Sequence, residues 1–174
     1  MPRAGDWNVF YLFNYGRRFE ENIKRCPRTT ELVAKLSAAH QAPGCSYFSA
    51  LSPGSSVLPH SDPLNLRLRF HLGVSIPDGD VRIRCGEEWR HWHEGRVLIF
   101  DDSFDHTTYN HSDHTRIVFI VDVWHPNLQP ATREALRSLY CGAGSEGSPV
   151  RDHLQHHNDK SIREAADGLE SSWW

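Results

Sequence analysis

Several things are missing from this chain, and each absence narrows what it can be. Its four cysteines (Cys26, Cys45, Cys85, Cys141) stand far apart with no CxxC pair, and 174 residues can build a core without disulfide staples. Charge of one sign is not in excess. Lys and Arg number 19 against 22 Asp and Glu, for a net charge of -3, so no global field exists to hold a phosphate backbone and no nucleic-acid partner is expected. No apolar run approaches the roughly 20 residues that span a bilayer. Met1-Pro2-Arg3-Ala4-Gly5-Asp6 lacks the apolar core of a signal peptide. The expectation is a soluble, cytoplasmic protein with no membrane partner. Internal repeats are absent too, and 39% hydrophobic with 24% charged residues excludes collagen, coiled coil and wholesale disorder.

What the chain does have is histidine, twelve in all, and β-forming text. Val9, Tyr11 and Phe13 alternate with Phe10 and Leu12 in a run apolar on both faces, which predicts a buried strand. Thr29-Thr30-Glu31 opens a helical pattern with Leu32, Val33, Leu36 and Ala39 at helical spacing, ending near Gln41-Ala42-Pro43-Gly44. From about Cys45 to Pro126, short β-rich runs alternate with turn signals at Pro53-Gly54, Pro77-Asp78-Gly79-Asp80, Gly86-Glu87 and Glu94-Gly95. No helical period separates them, so an antiparallel sandwich or barrel is expected. Residues 130–140 read as a closing helix, followed by the linker-like Gly142-Ala143-Gly144-Ser145-Glu146-Gly147-Ser148-Pro149 and a capping-box sequence at Ser161-Ile162-Arg163-Glu164.

Two patterns carry chemistry. Strand periodicity over Leu64–Leu72 puts Leu64, Leu66, Leu68, Phe70 and Leu72 on one face and Asn65, Arg67, Arg69 and His71 on the other. That basic face is either solvated or lines a cavity that binds a carboxylate-bearing ligand, since arginine presents a planar fork matched to carboxylate. Just upstream, His60 and Asp62 project to the same side of an extended segment. His106 follows the buried run Val97-Leu98-Ile99-Phe100, and Arg116 lies ten residues beyond it. HxD, a distant His, then an Arg is the linear form of the 2-His-1-carboxylate facial triad, which holds Fe(II) on one face and leaves three sites for co-substrate and O2. The arginine would anchor the far carboxylate of a chelating 2-oxo acid.

The stretch His60 to Pro126 resembles the aspartyl/asparaginyl β-hydroxylases, Fe(II)- and 2-oxoglutarate-dependent dioxygenases. The matching text is Arg67-Leu68-Arg69-Phe70-His71-Leu72-Gly73, the run from Trp92 to His106, and Arg116-Ile117-Val118-Phe119-Ile120-Val121-Asp122-Val123-Trp124-His125-Pro126. Weaker similarity extends upstream through Tyr47-Phe48-Ser49 to Trp7. The resemblance implies a mainly β fold, a double-stranded β-helix (jelly-roll, cupin-like) with flanking helices over residues 1–140, with 141–174 as linker and tail. It implies iron ligation by His60 and His106, and 2-oxoglutarate binding by Arg116, His71 and Ser49. Arg67 and Arg69 fall at positions that engage an acidic substrate or line its pocket. One departure stands out. The animal enzymes carry Gly at the position of Asp62 and use two histidines only, so Asp62 adds a third candidate ligand and points to hydroxylation over chlorination. The expected partner is a peptidyl or small-molecule substrate with an acidic group.

Plainer readings apply elsewhere. His91 and His93 form an HxH pair, but Trp92-x-Glu94-Gly95 fits a hairpin turn; His111 and His114 read as surface, and His125 as structural. Asp101 and Asp102 suit a β-turn, and Trp92 and Trp124 suit the core. His153, His156 and His157 fall in the tail. Two rival functions are a non-catalytic jelly-roll binding module and a zinc hydrolase, the latter without an HExxH pair.

Overall fold

The computed structural model describes residues 6–36, 38–41 and 43–142, with the side chains of 141 and 142 excepted. The capping-box sequence, the tail histidines and nearly all of the 141–174 segment lie outside the described residues. The chain divides into two units, residues 1–127 and 128–174.

The first unit is built on antiparallel strands. β1 (Trp7–Asn14), β2 (Arg17–Arg18), β3 (Cys45–Leu51), β5 (Arg67–Ser75), β8 (Val97–Phe100) and β10 (Arg116–Trp124) form one sheet in the order β2-β1-β3-β10-β5-β8. β4 (Ser55–His60), β6 (Asp80–Cys85), β7 (Glu88–His91) and β9 (His106–His111) form a second, ordered β4-β9-β6-β7. Numbering β3 to β10 as one to eight, the sheets read 1-8-3-6 and 2-7-4-5. The chain changes sheet at every step except the β6–β7 hairpin. This winding is the double-stranded β-helix, or jelly-roll. The turn signals fall in the connections: Pro53-Gly54 between β3 and β4, for example, and Gly95, at φ +68, before β8.

Two short helices, α1 (Glu20–Arg25) and α2 (Pro27–Val33), follow β2. α1 opens on Glu20 and Glu21 and closes on Lys24 and Arg25, which complements its dipole. α2 starts at Pro27, two residues before the expected Thr29, because proline at the first helical position loses no hydrogen bond. It ends at Val33; Leu36 and Ala39 lie in the turns beyond. These segments contribute Ile23, Val33 and Ala39 to a cluster with Leu12, Phe13, Phe119 and Val121, against which Phe48 and Phe70 also pack. Phe119 pairs with Phe48 on one side and Leu72 on the other, so this cluster covers the outer face of the large sheet.

Alternation then fixes the inner face. Ser49, Val118 and Gly73 form one row across β3, β10 and β5; Tyr47, Ile120, His71 and Leu98 form the next, reaching β8; and Asp122, Arg69 and Phe100 form a third. The basic face of β5 therefore points inward: Arg67, Arg69 and His71 are buried, while Leu72 and Val74 are exposed. Gly73 is required where it stands, since a Cβ there would lie 2.3 Å from the His93 carbonyl oxygen.

In the second unit, α3 (Pro130–Gly142) forms where a helix is expected over 130–140. Among the described residues no helix is long and apolar enough to cross a membrane.

Candidate active site

The smaller sheet brings His60 and His106 together. They pair across the β4–β9 ladder, with ring centroids 4.2 Å apart. Each Nδ1 lies on the carbonyl oxygen two residues earlier, at 2.8 Å on Leu58 for His60 and 2.9 Å on Phe104 for His106. A carbonyl can only accept, so each Nδ1 carries a proton, and in a neutral ring so held Nε2 is the nitrogen with the lone pair. That tautomer is the one metal-ligating histidines adopt. Burial pushes the His106 imidazole below the usual histidine range, with the neighbouring His60 adding to the shift, and so keeps it neutral. Two adjacent imidazoles whose Nδ1 atoms are so engaged fit a divalent metal. Among the described residues, no group of three or more His, Cys, Asp or Glu is gathered around one point.

Deeper in the same interior lies a site of opposite polarity. Arg116 opens β10 and is 2% exposed, yet no carboxylate faces it among the described residues. Its Nη1 makes only long contacts of 3.4 Å to Ser49 O and Oγ, and its Nε has no partner. The guanidinium lies 4.9 Å from the Trp92 ring, and burial pushes its pKa down to about 10. His71, buried and packed edge-on against Phe100 at 4.9 Å, leaves both ring nitrogens without partners. Burial first, then Arg116, drives its imidazole well below the normal range. Ser49 Oγ accepts from Trp7 Nε1 at 2.9 Å. Buried polar groups are nearly always satisfied, so an unpaired arginine beside an unpaired histidine is a cradle for an anion. Its donors suit a carboxylate, and the residues present therefore fit a 2-oxo acid.

The remaining expected residues form a third cluster. Arg69 grips Asp122 through Nε (2.9 Å) and Nη2 (3.2 Å), and Asp122 also accepts from the Cys45 backbone N–H. Arg67 donates to Tyr15 Oη at 3.0 Å and to Pro43 O at 2.6 Å. Both arginines reach forward to Asp62 Oδ2, Arg67 at 2.8 Å and Arg69 at 2.9 Å, and Asp102 lies 2.9 Å from Arg69 Nη1. The expected third ligand thus has one carboxylate oxygen engaged by two guanidiniums, because β5 aims both at the segment that leads into it. Burial works against ionisation of Asp62, but Arg69, a hydrogen bond with Asp102, and Arg67 outweigh it and hold its carboxyl well below the usual range. Asp102 moves the other way, to about 7, chiefly through burial.

Asp102 and Asp122 are the buried partners of this arginine cluster that sequence reading missed. Five further described histidines behave as surface or structural groups. His91, His93, His111 and His114 are exposed, and His125 Nδ1 accepts from the Asn127 backbone N–H at 3.2 Å. Trp92 and Trp124 are buried.

Fold and site together describe a jelly-roll protein with a two-histidine pair at one end of its interior and an unpaired cation behind it. Comparison with known proteins places it more closely. Residues 2–126 match the family model for aspartyl/asparaginyl beta-hydroxylase, and the chain belongs to that family. It is 45% identical over 143 residues to mouse aspartyl/asparaginyl beta-hydroxylase, covering 80% of this chain and 19% of that protein. It is also 39% identical over 127 residues to the ornithine lipid ester-linked acyl 2-hydroxylase of Rhizobium tropici, covering 72% of this chain and 44% of that one. The chain thus spans less than half the length of each of these relatives. A cupin domain of an XRE-family transcriptional regulator from Enterobacter cloacae superposes with a TM-score of 0.46 at 13% identity, over 68% of this chain and 97% of that one.

Proposed function

We propose that this chain is an Fe(II)- and 2-oxoglutarate-dependent hydroxylase acting on an unactivated C–H bond. The single observation that carries the reading is Arg116, a buried guanidinium with no counter-charge among the described residues, set beside His71 behind the two-histidine pair. A cation left unpaired in a dry interior costs stability, and a fold that retains one has an anion for it to bind. The jelly-roll winding and the family membership support the same reading.

His60 and His106 would hold iron through Nε2, with their Nδ1–H groups steadied by the Leu58 and Phe104 carbonyls. Asp62 is the third candidate ligand, through the oxygen that the arginines leave free. When bound, iron and 2-oxoglutarate reduce O2, yielding succinate and CO2 and placing one oxygen atom on the substrate carbon. The chain supplies position and dryness. Arg116 and Ser49 take the far carboxylate, His71 donates or accepts along its length, and Trp92, Val118 and Ile120 exclude water. Exclusion of water strengthens the Arg116 ion pair relative to a surface one. The relatives' names point to protein side chains and lipid acyl chains as the substrate range.

Anaerobic addition of Fe(II) and 2-oxoglutarate tests this. A visible charge-transfer band that needs both, followed by succinate release on admitting O2, is expected. A protein that binds 2-oxoglutarate without the band is a binding module, and the hydroxylase reading then fails.

A further inference from the structure

We propose that Asp62 determines substrate specificity: by occupying Arg67 and Arg69 it bars a substrate carboxylate from that arginine pair, and the substrate end it admits is an N–H donor, an amide or an ammonium. This deepens the hydroxylase reading and rests on it for the presence of a substrate at this end of the interior.

The first support is the donor count. A guanidinium has five N–H groups. Those of Arg67 are spent on Tyr15 Oη, Pro43 O, Asp62 and Asp102, with Nε also 3.4 Å from Asp122. Four of those of Arg69 are taken up by Asp122, Asp62 and Asp102. Arg67 keeps no donor for an incoming acid, and Arg69 keeps one Nη2 hydrogen at most, too few for the two-pronged grip a carboxylate takes. The second is charge: two guanidiniums face three carboxyl groups, so the cluster has no positive excess to attract another anion. The third is access. Asp102 and Asp122 are fully buried, whereas the Asp62 side chain is 27% exposed. Asp62 is therefore the member of the cluster that a substrate meets, and it meets it with a carboxylate.

Asp62 is also held in place. Its backbone N–H donates to Asp102 O at 2.8 Å, and Pro63 restricts the backbone at position 62 to extended conformations. An acid would have to break two charge-assisted bonds to displace it, or become a fourth carboxyl in the cluster. Specificity against one partner is commonly built as such a repulsive element.

The test uses the arginine side chains as reporters and needs neither metal nor co-substrate. The Nε–H signals of Arg67 and Arg69 in 15N-labelled protein are followed during titration with N-acetyl-aspartate amide and, separately, N-acetyl-asparagine amide. Wild type is compared with Asp62→Gly and Asp62→Asn, both of which keep the Asp102 and Asp122 partners of the arginines. The aspartyl probe should leave both signals in place in wild type and shift them in the Gly variant, with at least about tenfold tighter binding there. In wild type the asparaginyl probe should shift the Asp62 backbone amide. Equal binding of the aspartyl probe to wild type and Gly variant overturns the proposal, and so does a Gly variant that gains nothing. Mn(II) and 2-oxoglutarate binding, measured on the same samples without probes, reports separately on the hydroxylase reading.

Discussion

His60 and His106 stand opposite one another across the β4–β9 ladder, each with Nδ1 on the carbonyl two residues before it. Both Nε2 lone pairs are set by backbone geometry before any ion arrives. Replacing either histidine with Ala should weaken Mn(II) binding by more than the ~10–100-fold typical of losing an outer-shell partner. Calorimetry on each single variant checks this. Unchanged affinity in either would remove that histidine from the metal site.

Arg116 makes an unusual prediction because function and stability point in opposite directions. Arg116→Met should abolish thermal stabilisation by 2-oxoglutarate while leaving Mn(II) affinity intact. The ligand-free variant should unfold no more easily than wild type, and is expected to gain about 1 kcal/mol or more, since a buried charge without a partner has been removed. Urea unfolding with and without co-substrate measures both effects.

Asp122 should behave in the contrary way. It is the bidentate partner of Arg69 and also accepts from the Cys45 backbone. Asp122→Ala strands a buried guanidinium and should cost about 3–5 kcal/mol. A loss below 1 kcal/mol in chemical denaturation would show that Arg69 is paired well enough by Asp62 and Asp102 alone.

The raised Asp102 carboxyl, at about 7 in the fold, gives a signed pH dependence. A carboxyl whose folded pKa exceeds its unfolded value of ~3.9 binds a proton more tightly when folded. Its stabilising contribution is complete below the unfolded pKa and is lost as pH rises toward 7. Asp102→Asn cannot lose that proton. Its stability relative to wild type should therefore improve steadily between pH 4 and pH 7.5, as followed by denaturation at fixed ionic strength. A constant difference across that window would place the Asp102 pKa near its ordinary value.

Much of this was readable in the residues. Alternation in Val9–Phe13 and the turn pairs Pro53-Gly54 and Gly86-Glu87 located strands and connections, because period-two apolarity and positive-φ glycines are local properties. The HxD…H spacing picked out the two histidines that meet. Periodicity showed which β5 residues share a face, but could not say which face is inside. The outer helices decide it, since Phe70 packs under them and leaves Arg67 and Arg69 facing the interior.

The missed carboxylates follow from the same blind spot. Asp101 makes the anticipated turn, its Oδ1 accepting the Ser103 N–H at 3.0 Å, while the adjacent Asp102 is fully buried against the arginines. A signal existed for Asp122. An acid inside Ile117–Val123 is out of place in an apolar strand unless a cation faces it, and Arg69 is its register partner.

The position of Arg116 also has a bearing on biosynthesis. It opens β10, the strand that joins β3 to β5 and so closes the roll. Until the ribosome has delivered that strand, an emerging chain can present both imidazoles but no complete anion cradle of Arg116, Ser49 and His71. The anion cradle is thereby withheld from half-made molecules, and only a finished, wound polypeptide carries it.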